Sequence, residues 1–279
     1  MIPMRRTLAV LAVLAAFAVP ASAQAPLKSG VDATFAPHAM IKLGGGLQGF
    51  NIELGEELAR RMGRKLEIEG TEFSGLIPGL NAGKYDFVLA PVTATPERAK
   101  AMLFTEGYLN TDFGLVIKKD AAEIKGLEDL KGKTLAVNKG SAYESWCKTN
   151  AEQYGFKFDV YGTNADAIQA VQSGRADANM AGNTAGAWAA RQNPAVKMSY
   201  VIPTGLVWAL AFRHDDKAGR DAASMAIKCM KKDGFIAKLA EKWFGFTPPA
   251  DAAAMQIAPG HGVPNLDGYD ATPITLSCS

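Results

Sequence analysis

Two stretches of this chain echo one another, and that echo constrains the fold more than any single motif. Leu76-Ile-Pro-Gly-Leu-Asn-Ala-Gly83-Lys-Tyr-Asp86 and Ile168-Gln-Ala-Val-Gln-Ser-Gly174-Arg-Ala-Asp177 each place an apolar helix before a Gly, an Asp three residues on, and then an apolar strand. Gly suits the left-handed position just past a helix end, so each stretch predicts helix, tight stop and strand. The pattern occurs twice at long separation, which argues against a solenoid and for two similarly built lobes. Asp86 and Asp177 hold equivalent places ahead of the strands, which predicts that they tie turns rather than carry out chemistry.

The rest of the chain alternates short strands with amphipathic helices, the pattern of α/β layers. Asn51 is placed to cap a helix with Leu54, Leu58 and Met62 on one face, Glu56–Arg60 and Glu57–Arg61 pairing on the other, and Gly63 at its end. A strand over Leu66–Ile68, a helix over Ser74–Ala82 and a strand over Tyr85–Ala90 follow. Two more apolar strands, Asp112–Ile117 and Trp208–Phe212, bracket the second echo, as connectors crossing to a second lobe and back would. A long helical stretch, Ala218–Phe244, comes next. From Gly245 onward Pro, Gly and Ala predict an extended, weakly structured tail.

The first 23 residues form an export signal: Arg5 and Arg6, an apolar run from Thr7 to Val19, and the small-residue site Ala21-Ser-Ala23, with cleavage expected near Ala23/Gln24. Loss of both arginines leaves 28 basic against 28 acidic residues, so charge gives no case for nucleic acid or an anionic membrane as partner. In an oxidising compartment the three cysteines, Cys147, Cys229 and Cys278, predict one disulfide and one free thiol. Three pairings are possible. Cys229–Cys278 is favoured because it would staple the tail to a helix. His38, His214 and His261 are scattered and no Cys/His metal spacing occurs, so neither a metal nor another cofactor is expected.

Thr95 has the character of a helix N-cap with Pro96 at the first helical position, which sets the Arg98 guanidinium beside a helix start. Free N–H groups favour an anion there, and the planar fork suits a carboxylate. Taken alone, Arg98 fits equally a surface residue paired with Glu97 or Glu106. Gly44-Gly-Gly46-Leu-Gln-Gly49 satisfies a dinucleotide-binding spacing, but the preceding strand is thin and the helix begins after Gly49, so a Gly-rich hairpin turn is expected.

Together these segments resemble the extracellular solute-binding proteins of family 3, the receptors of polar amino-acid ABC importers. The resemblance covers residues 28–244. It rests on Gly30-Val-Asp-Ala-Thr-Phe35, Gly49-Phe-Asn-Ile-Glu-Leu, Phe73-Ser-Gly-Leu-Ile-Pro, Gly83-Lys-Tyr-Asp-Phe through Thr-Pro-Glu-Arg98, Leu127-Glu-Asp-Leu-Lys-Gly-Lys, Ala170-Val-Gln-Ser-Gly-Arg-Ala-Asp177 and Leu239-Ala-Glu-Lys-Trp-Phe-Gly245. It implies an α/β, two-lobed periplasmic-binding-protein fold of type II, with two hinge strands and a ligand cleft between the lobes. Residues 24–112 and 208–245 would form lobe 1, 113–207 lobe 2, and 246–279 the tail. The chain would work in the periplasm as a monomer, holding a small carboxylate solute and meeting an ABC permease of the inner membrane transiently.

By matching positions, the resemblance implies that Arg98 clamps the carboxylate, helped by the Thr93 hydroxyl and N–H. The carbonyl of Ala90 or Pro91 would accept from an amino group, Phe35 and Phe73 would wall the cleft, and Asp32 would reach the ligand's far end. Lobe 2 would add Asn138, Ser141 and Ala142, with Ser141 as N-cap and Glu144 in capping-box spacing. One departure stands out. Five residues beyond Asp177 the family pattern has an Asp for the α-ammonium, and this chain has Gly182. Either Asn183 or Asp32 compensates, or the ligand lacks an α-ammonium there, or a bulky substituent at that atom needs the Gly.

Two other functions fit such a fold. A prephenate-type dehydratase would draw its proton donor from the region after Asp177, but Ala178–Arg191 holds no Asp or Glu. A non-transport role as periplasmic accessory or sensor protein would use the tail for a protein contact.

Overall fold

A computed structural model of the protein describes residues 25–278; the expected export signal lies outside them. The first half runs β1 (Leu27–Asp32), β2 (Met40–Ile41), β3 (Leu47–Gln48), α1 (Phe50–Arg61), β4 (Leu66–Thr71), α2 (Phe73–Asn81), β5 (Phe87–Thr93), α3 (Pro96–Ala99), β6 (Met102–Phe104) and β7 (Leu109–Lys118). After a 3-10 turn at Leu127–Leu130 come β8 (Thr134–Asn138), α4 (Ala142–Tyr154), β9 (Lys157–Tyr161), α5 (Asn164–Gln172), β10 (Ala178–Gly182), α6 (Asn183–Gln192), β11 (Val196–Arg213), α7 (Lys217–Lys232) and α8 (Phe235–Phe244).

The main sheet has the order β4-β1-β5-β11-β7-β10-β8-β9, with β6 beside β11. Strands β4, β1 and β5 are parallel in lobe 1, and β10, β8 and β9 are parallel in lobe 2. Strands β7 and β11 are antiparallel partners that run through both lobes. Val196–Ile202 of β11 pairs with Phe113–Lys118, and Trp208–Phe212 pairs with β5. The register of β11 slips between Ile202 and Leu206, where Asp112 accepts from the Thr204 N–H at 3.0 Å. Sequence had shown only the two apolar ends of this crossing, because Val196–Pro203 is half-buried and polar in part.

The internal echo has a shared physical cause. Gly83 (φ 73°) and Gly174 (φ 76°) stop α2 and α5 in the left-handed conformation. The Asp86 carboxylate then accepts from the Lys28 N–H at 2.8 Å, and the Asp177 carboxylate from the Thr134 N–H at 2.7 Å. Each Asp thereby ties its turn to the neighbouring parallel strand. Each helix also covers its own small apolar cluster: Leu76 and Leu80 against Val88, Ala167 and Val171 against Val116.

Three local expectations need correction. Helix α1 starts at Phe50 with Gly49 as N-cap, and Asn51 is buried inside it. The Asn51 amide donates to the Leu89 carbonyl at 2.6 Å and the Tyr108 hydroxyl at 2.8 Å, so tertiary partners displaced capping. Glu57 pairs with both Arg60 and Arg61, leaving Glu56 exposed. The long C-terminal helix is broken at Asp233–Gly234, with Gly234 at φ 79°. The Gly44–Gly46 stretch is the turn of the β2–β3 hairpin, as expected.

The tail is irregular, apart from a bridge between His261 and Asp270, but it is tied down along its length. Ala253 N–H donates to the Asn110 side chain at 2.8 Å, Arg220 donates to the Gly268 carbonyl at 2.8 Å, and Lys217 pairs with Asp270 at 2.9 Å. Cys229 and Cys278 form a disulfide across 49 residues, and Cys147 stays free and buried. The tail is therefore part of the folded body rather than weakly structured. Closing a loop of that length predicts that Cys278→Ser lowers stability by about 2–4 kcal/mol. Thermal unfolding with and without reductant checks this: reductant should lower the melting temperature of the wild type and leave the variant unchanged.

Candidate functional site

Strand β5 ends at Thr93, and Thr95 then caps α3 by accepting from the Arg98 N–H at 3.3 Å. This local chemistry aims the Arg98 side chain at the crevice between the lobes. Its Nη1 donates to the Thr93 carbonyl and its Nη2 to the Gly140 carbonyl of lobe 2, both at 3.0 Å. Its guanidinium lies over the Phe73 ring, 5.7 Å from the centroid. Neither acid that could have claimed it does so: Glu97 takes Lys100, and Glu106 takes Lys228 and Lys231. Desolvation lowers the Arg98 pKa, yet a guanidinium keeps its charge. Two of its five N–H donors are committed and three remain.

The facing wall comes from the start of α4. Ser141 caps it, accepting from the Glu144 N–H at 3.1 Å, while Glu144 reaches back to accept from the Gly140 N–H at 2.6 Å. The capping box thus closes one residue further back than its usual form. The positive end of α4, with Ala142 and Tyr143, faces the same recess as Arg98. Across it, Asp32 is buried at the end of β1. Its carboxylate accepts from the Thr34 N–H at 2.9 Å, the Thr34 hydroxyl at 2.7 Å and the Asn138 amide of lobe 2 at 3.0 Å. Burial raises the Asp32 pKa, opposed by these hydrogen bonds and reinforced by nearby Glu72.

One recess is lined by Asp32, Phe35, Phe73, Pro91, Thr93, Arg98, Asn138, Ser141 and Ala142 together with Tyr143. It measures about 320 Å³ out to its mouth and offers about 20 Å³ to the centre of a water molecule, room for one or two. Phe35 and Phe73 serve both as wall and as core, being almost fully buried. Three expected residues stand outside the lining. Ala90, within β5, is buried against the apolar residues of α2. The Asn183 side-chain Oδ1 accepts from the Thr184 N–H at 2.9 Å and is spent locally.

Gly182 is the third. A Cβ there would lie 2.5 Å from the Trp208 indole and 3.1 Å from the Tyr143 hydroxyl. The bulk that demands a Gly is therefore the chain's own aromatic pair. Tyr143 escaped the sequence reading, although its place just after Ser141-Ala142, at the helix start, could have flagged it. Trp208 escaped too, since its partner at residue 182 is adjacent only in space. Burial raises the Tyr143 pKa, with Arg98 and the Gly182 amide partly opposing.

A second cross-lobe contact lies deeper. His38, fully buried, bonds Asn51 through Nδ1 at 3.0 Å and Thr184 of lobe 2 through Nε2 at 2.8 Å, and stacks edge-on against Trp208 at 4.7 Å. Desolvation pushes its pKa down to about 3, so it is neutral in the fold. A folded pKa below the unfolded value means the unfolded chain takes up the proton first as pH falls. Stability from this group is complete above about 6.5 and drains away toward pH 3, by roughly 4–5 kcal/mol in all. Urea denaturation between pH 7 and 4 is expected to give a flatter pH slope for His38→Gln than for the wild type.

Residues 27–246 match the bacterial extracellular solute-binding proteins, family 3. The chain is 34% identical over 227 residues to the arginine-binding extracellular protein ArtP of Bacillus subtilis (strain 168), covering 80% of this chain and 88% of that one. Among solved structures it is similar to an ancestral arginine-binding protein bound to arginine, with TM-score 0.76, 36% identity, 80% of this chain and 100% of that chain covered. It is also similar to the ancestral amino acid-binding protein AncCDT-1, a precursor of cyclohexadienyl dehydratase, with TM-score 0.72, 34% identity, and 78% and 95% covered. The chain belongs to the family 3 solute-binding proteins, the amino-acid-binding receptors of ABC transporters.

Proposed function

We propose that the exported protein captures a small carboxylate-bearing solute, an amino acid, an amino-acid derivative or an organic acid, and delivers it as a monomer to an inner-membrane ABC permease. The observation that carries this reading is Arg98: it bridges the two lobes through Thr93 and Gly140 and keeps three donors for a carboxylate at the positive end of α4. A space that holds a water or two does not admit an amino acid, so uptake requires the lobes to part about β7 and β11 and close again on the solute. The permease would then read the closed form, a population shift with no bond chemistry. Differential scanning fluorimetry against amino acids, organic acids and their amides tests this. A carboxylate solute should raise the melting temperature and its amide should not; a panel in which amides do as well removes the carboxylate clamp.

The likeness to a dehydratase precursor keeps one alternative in view. Asp32 is the acid in the recess, but its two carboxyl oxygens already accept from three donors, which places it as an acceptor rather than as a proton donor aimed at a ligand. Release of phenylpyruvate from prephenate above background would reverse that assignment.

A further inference from the structure

Helix α6 turns one face toward lobe 1, and that face forms a seam away from the recess. Thr184, Trp188 and Arg191 are spaced four and three residues apart, so they stand on one side of the helix. Each has a partner in lobe 1. The Thr184 hydroxyl meets His38 Nε2 at 2.8 Å, the Trp188 and Trp243 ring centroids are 6.3 Å apart, and Arg191 Nη1 donates to the Phe244 carbonyl at 3.0 Å. Phe244 joins the two ends of the seam, because its ring also packs 5.2 Å from the His38 imidazole. None of these residues lines the recess.

The surrounding hydrogen bonds fix where His38 carries its proton. Both amide hydrogens of Asn51 are spent, on the Leu89 carbonyl and the Tyr108 hydroxyl, so its Oδ1 accepts from His38 Nδ1. Nε2 is then an acceptor, and the Thr184 hydroxyl donates to it across the lobes. A second proton would find no acid beside it: the groups against the ring are Phe35, Phe50, Asn51, Trp208, Phe244 and Thr184. The ionic groups on the packed helices are committed elsewhere, Glu53 of α1 to Lys242 of α8 at 2.8 Å and Arg191 to its carbonyl. Parting the lobes withdraws Thr184 and opens Nε2 to water, where a charged imidazole is readily solvated.

We infer that His38 is a positioning residue for closure: the α6 seam latches the lobes together while this imidazole is neutral, and mild acid releases them. This rests on the reading that the lobes close on the solute, and adds a proton-dependent control of that closure from outside the recess. With a pKa of about 3 in the closed seam and an ordinary value of 6.5 once Nε2 meets water, the parted state takes up the proton first as pH falls. Closure is fully favoured above about pH 6.5, and the ratio of closed to parted chains falls about thirtyfold between pH 7.5 and pH 5.0.

Small-angle X-ray scattering of the unliganded protein at pH 7.5 and pH 5.0 tests it, with circular dichroism confirming that each sample is folded. The wild type should scatter as the closed structure at pH 7.5 and shift toward a larger radius of gyration at pH 5.0. Thr184→Val keeps the shape of the side chain but removes the cross-lobe hydrogen bond, so it should show the larger radius already at pH 7.5. His38→Phe has no proton to take up there, so its radius should be the same at both pH values. A wild type that stays closed at pH 5.0, or a Thr184→Val protein that stays closed at pH 7.5, overturns the inference. So does a pH shift that survives His38→Phe, which would move the titrating group elsewhere, Asp32 being the other acid-sensitive link between the lobes. No arm contains a solute, so these results leave the carboxylate clamp standing, and a clamp that fails in the fluorimetry panel leaves the seam standing.

Discussion

Arg98→Met is expected to weaken capture of any carboxylate ligand by roughly two to three orders of magnitude while leaving the fold intact. Truncating one partner of a desolvated charge pair typically costs about 2–5 kcal/mol, much of it from the charge left unpaired. Here the unpaired group would be the ligand's own carboxylate, left to the positive end of α4 and the neutral donors of Thr93. The fold should tolerate the change, because the side chain is half-buried and its two hydrogen bonds go to carbonyls that water can reach when the lobes part. Arg98→Lys keeps the charge but loses the fork, so an intermediate loss of about tenfold is expected. Calorimetry with the best ligand from the fluorimetry panel, beside urea denaturation of the unliganded proteins, separates binding from stability. Retention of near wild-type affinity in Arg98→Met would remove this residue from the site.

The second large effect concerns stability. Glu106 is buried between Lys228 and Lys231, pairing with both, the latter at 2.5 Å. The same lysines donate to tail carbonyls, Lys228 to Ala258 at 2.5 Å and Lys231 to Gln256 at 2.7 Å. Glu106→Gln would strand two ammonium groups away from water, which typically costs about 3–5 kcal/mol. For a domain of this size that is a fall in melting temperature of roughly 10 °C. Burial, with mutual repulsion acting on Lys228, lowers the lysine pKa values to about 8 for Lys228 and about 7 for Lys231. In the variant these groups can shed their protons in the fold while remaining charged when unfolded. The variant should therefore regain stability as pH rises from about 7 toward 10. A variant as stable as the wild type at pH 7 would show that the network contributes little.

What the sequence revealed and what it hid divide along range. The Thr95 cap and the Ser141–Glu144 box are local chemistry, and the side chains meet within a turn of where they stand in the chain. Arg98 was legible for that reason. The two Asp turn ties were legible because the chain spells them twice. Asn51 misled, since a carboxamide near a helix start has the same local pattern whether it caps or is buried against Leu89 and Tyr108. Gly182 was seen as a departure but its cause was not, because Trp208 comes from the far side of β11. Glu106 looked like a partner for Arg98 until the helix α7 lysines claimed it. In each of these three, the deciding partner lies tens of residues away and is fixed by packing rather than spacing.

The anchored tail makes lobe motion measurable by a chemical ruler. Cys229 and Cys278 are locked together, and burial pushes the Cys147 thiol up to about 12, so the native chain offers no reactive thiolate near neutral pH. Cysteines introduced at the exposed positions Asp267, on the tail, and Arg175, on the lobe 2 turn, would take a fluorophore pair selectively. Because the tail travels with lobe 1 through Lys217, Arg220 and the disulfide, the distance between the dyes would follow opening and closing rather than tail wander.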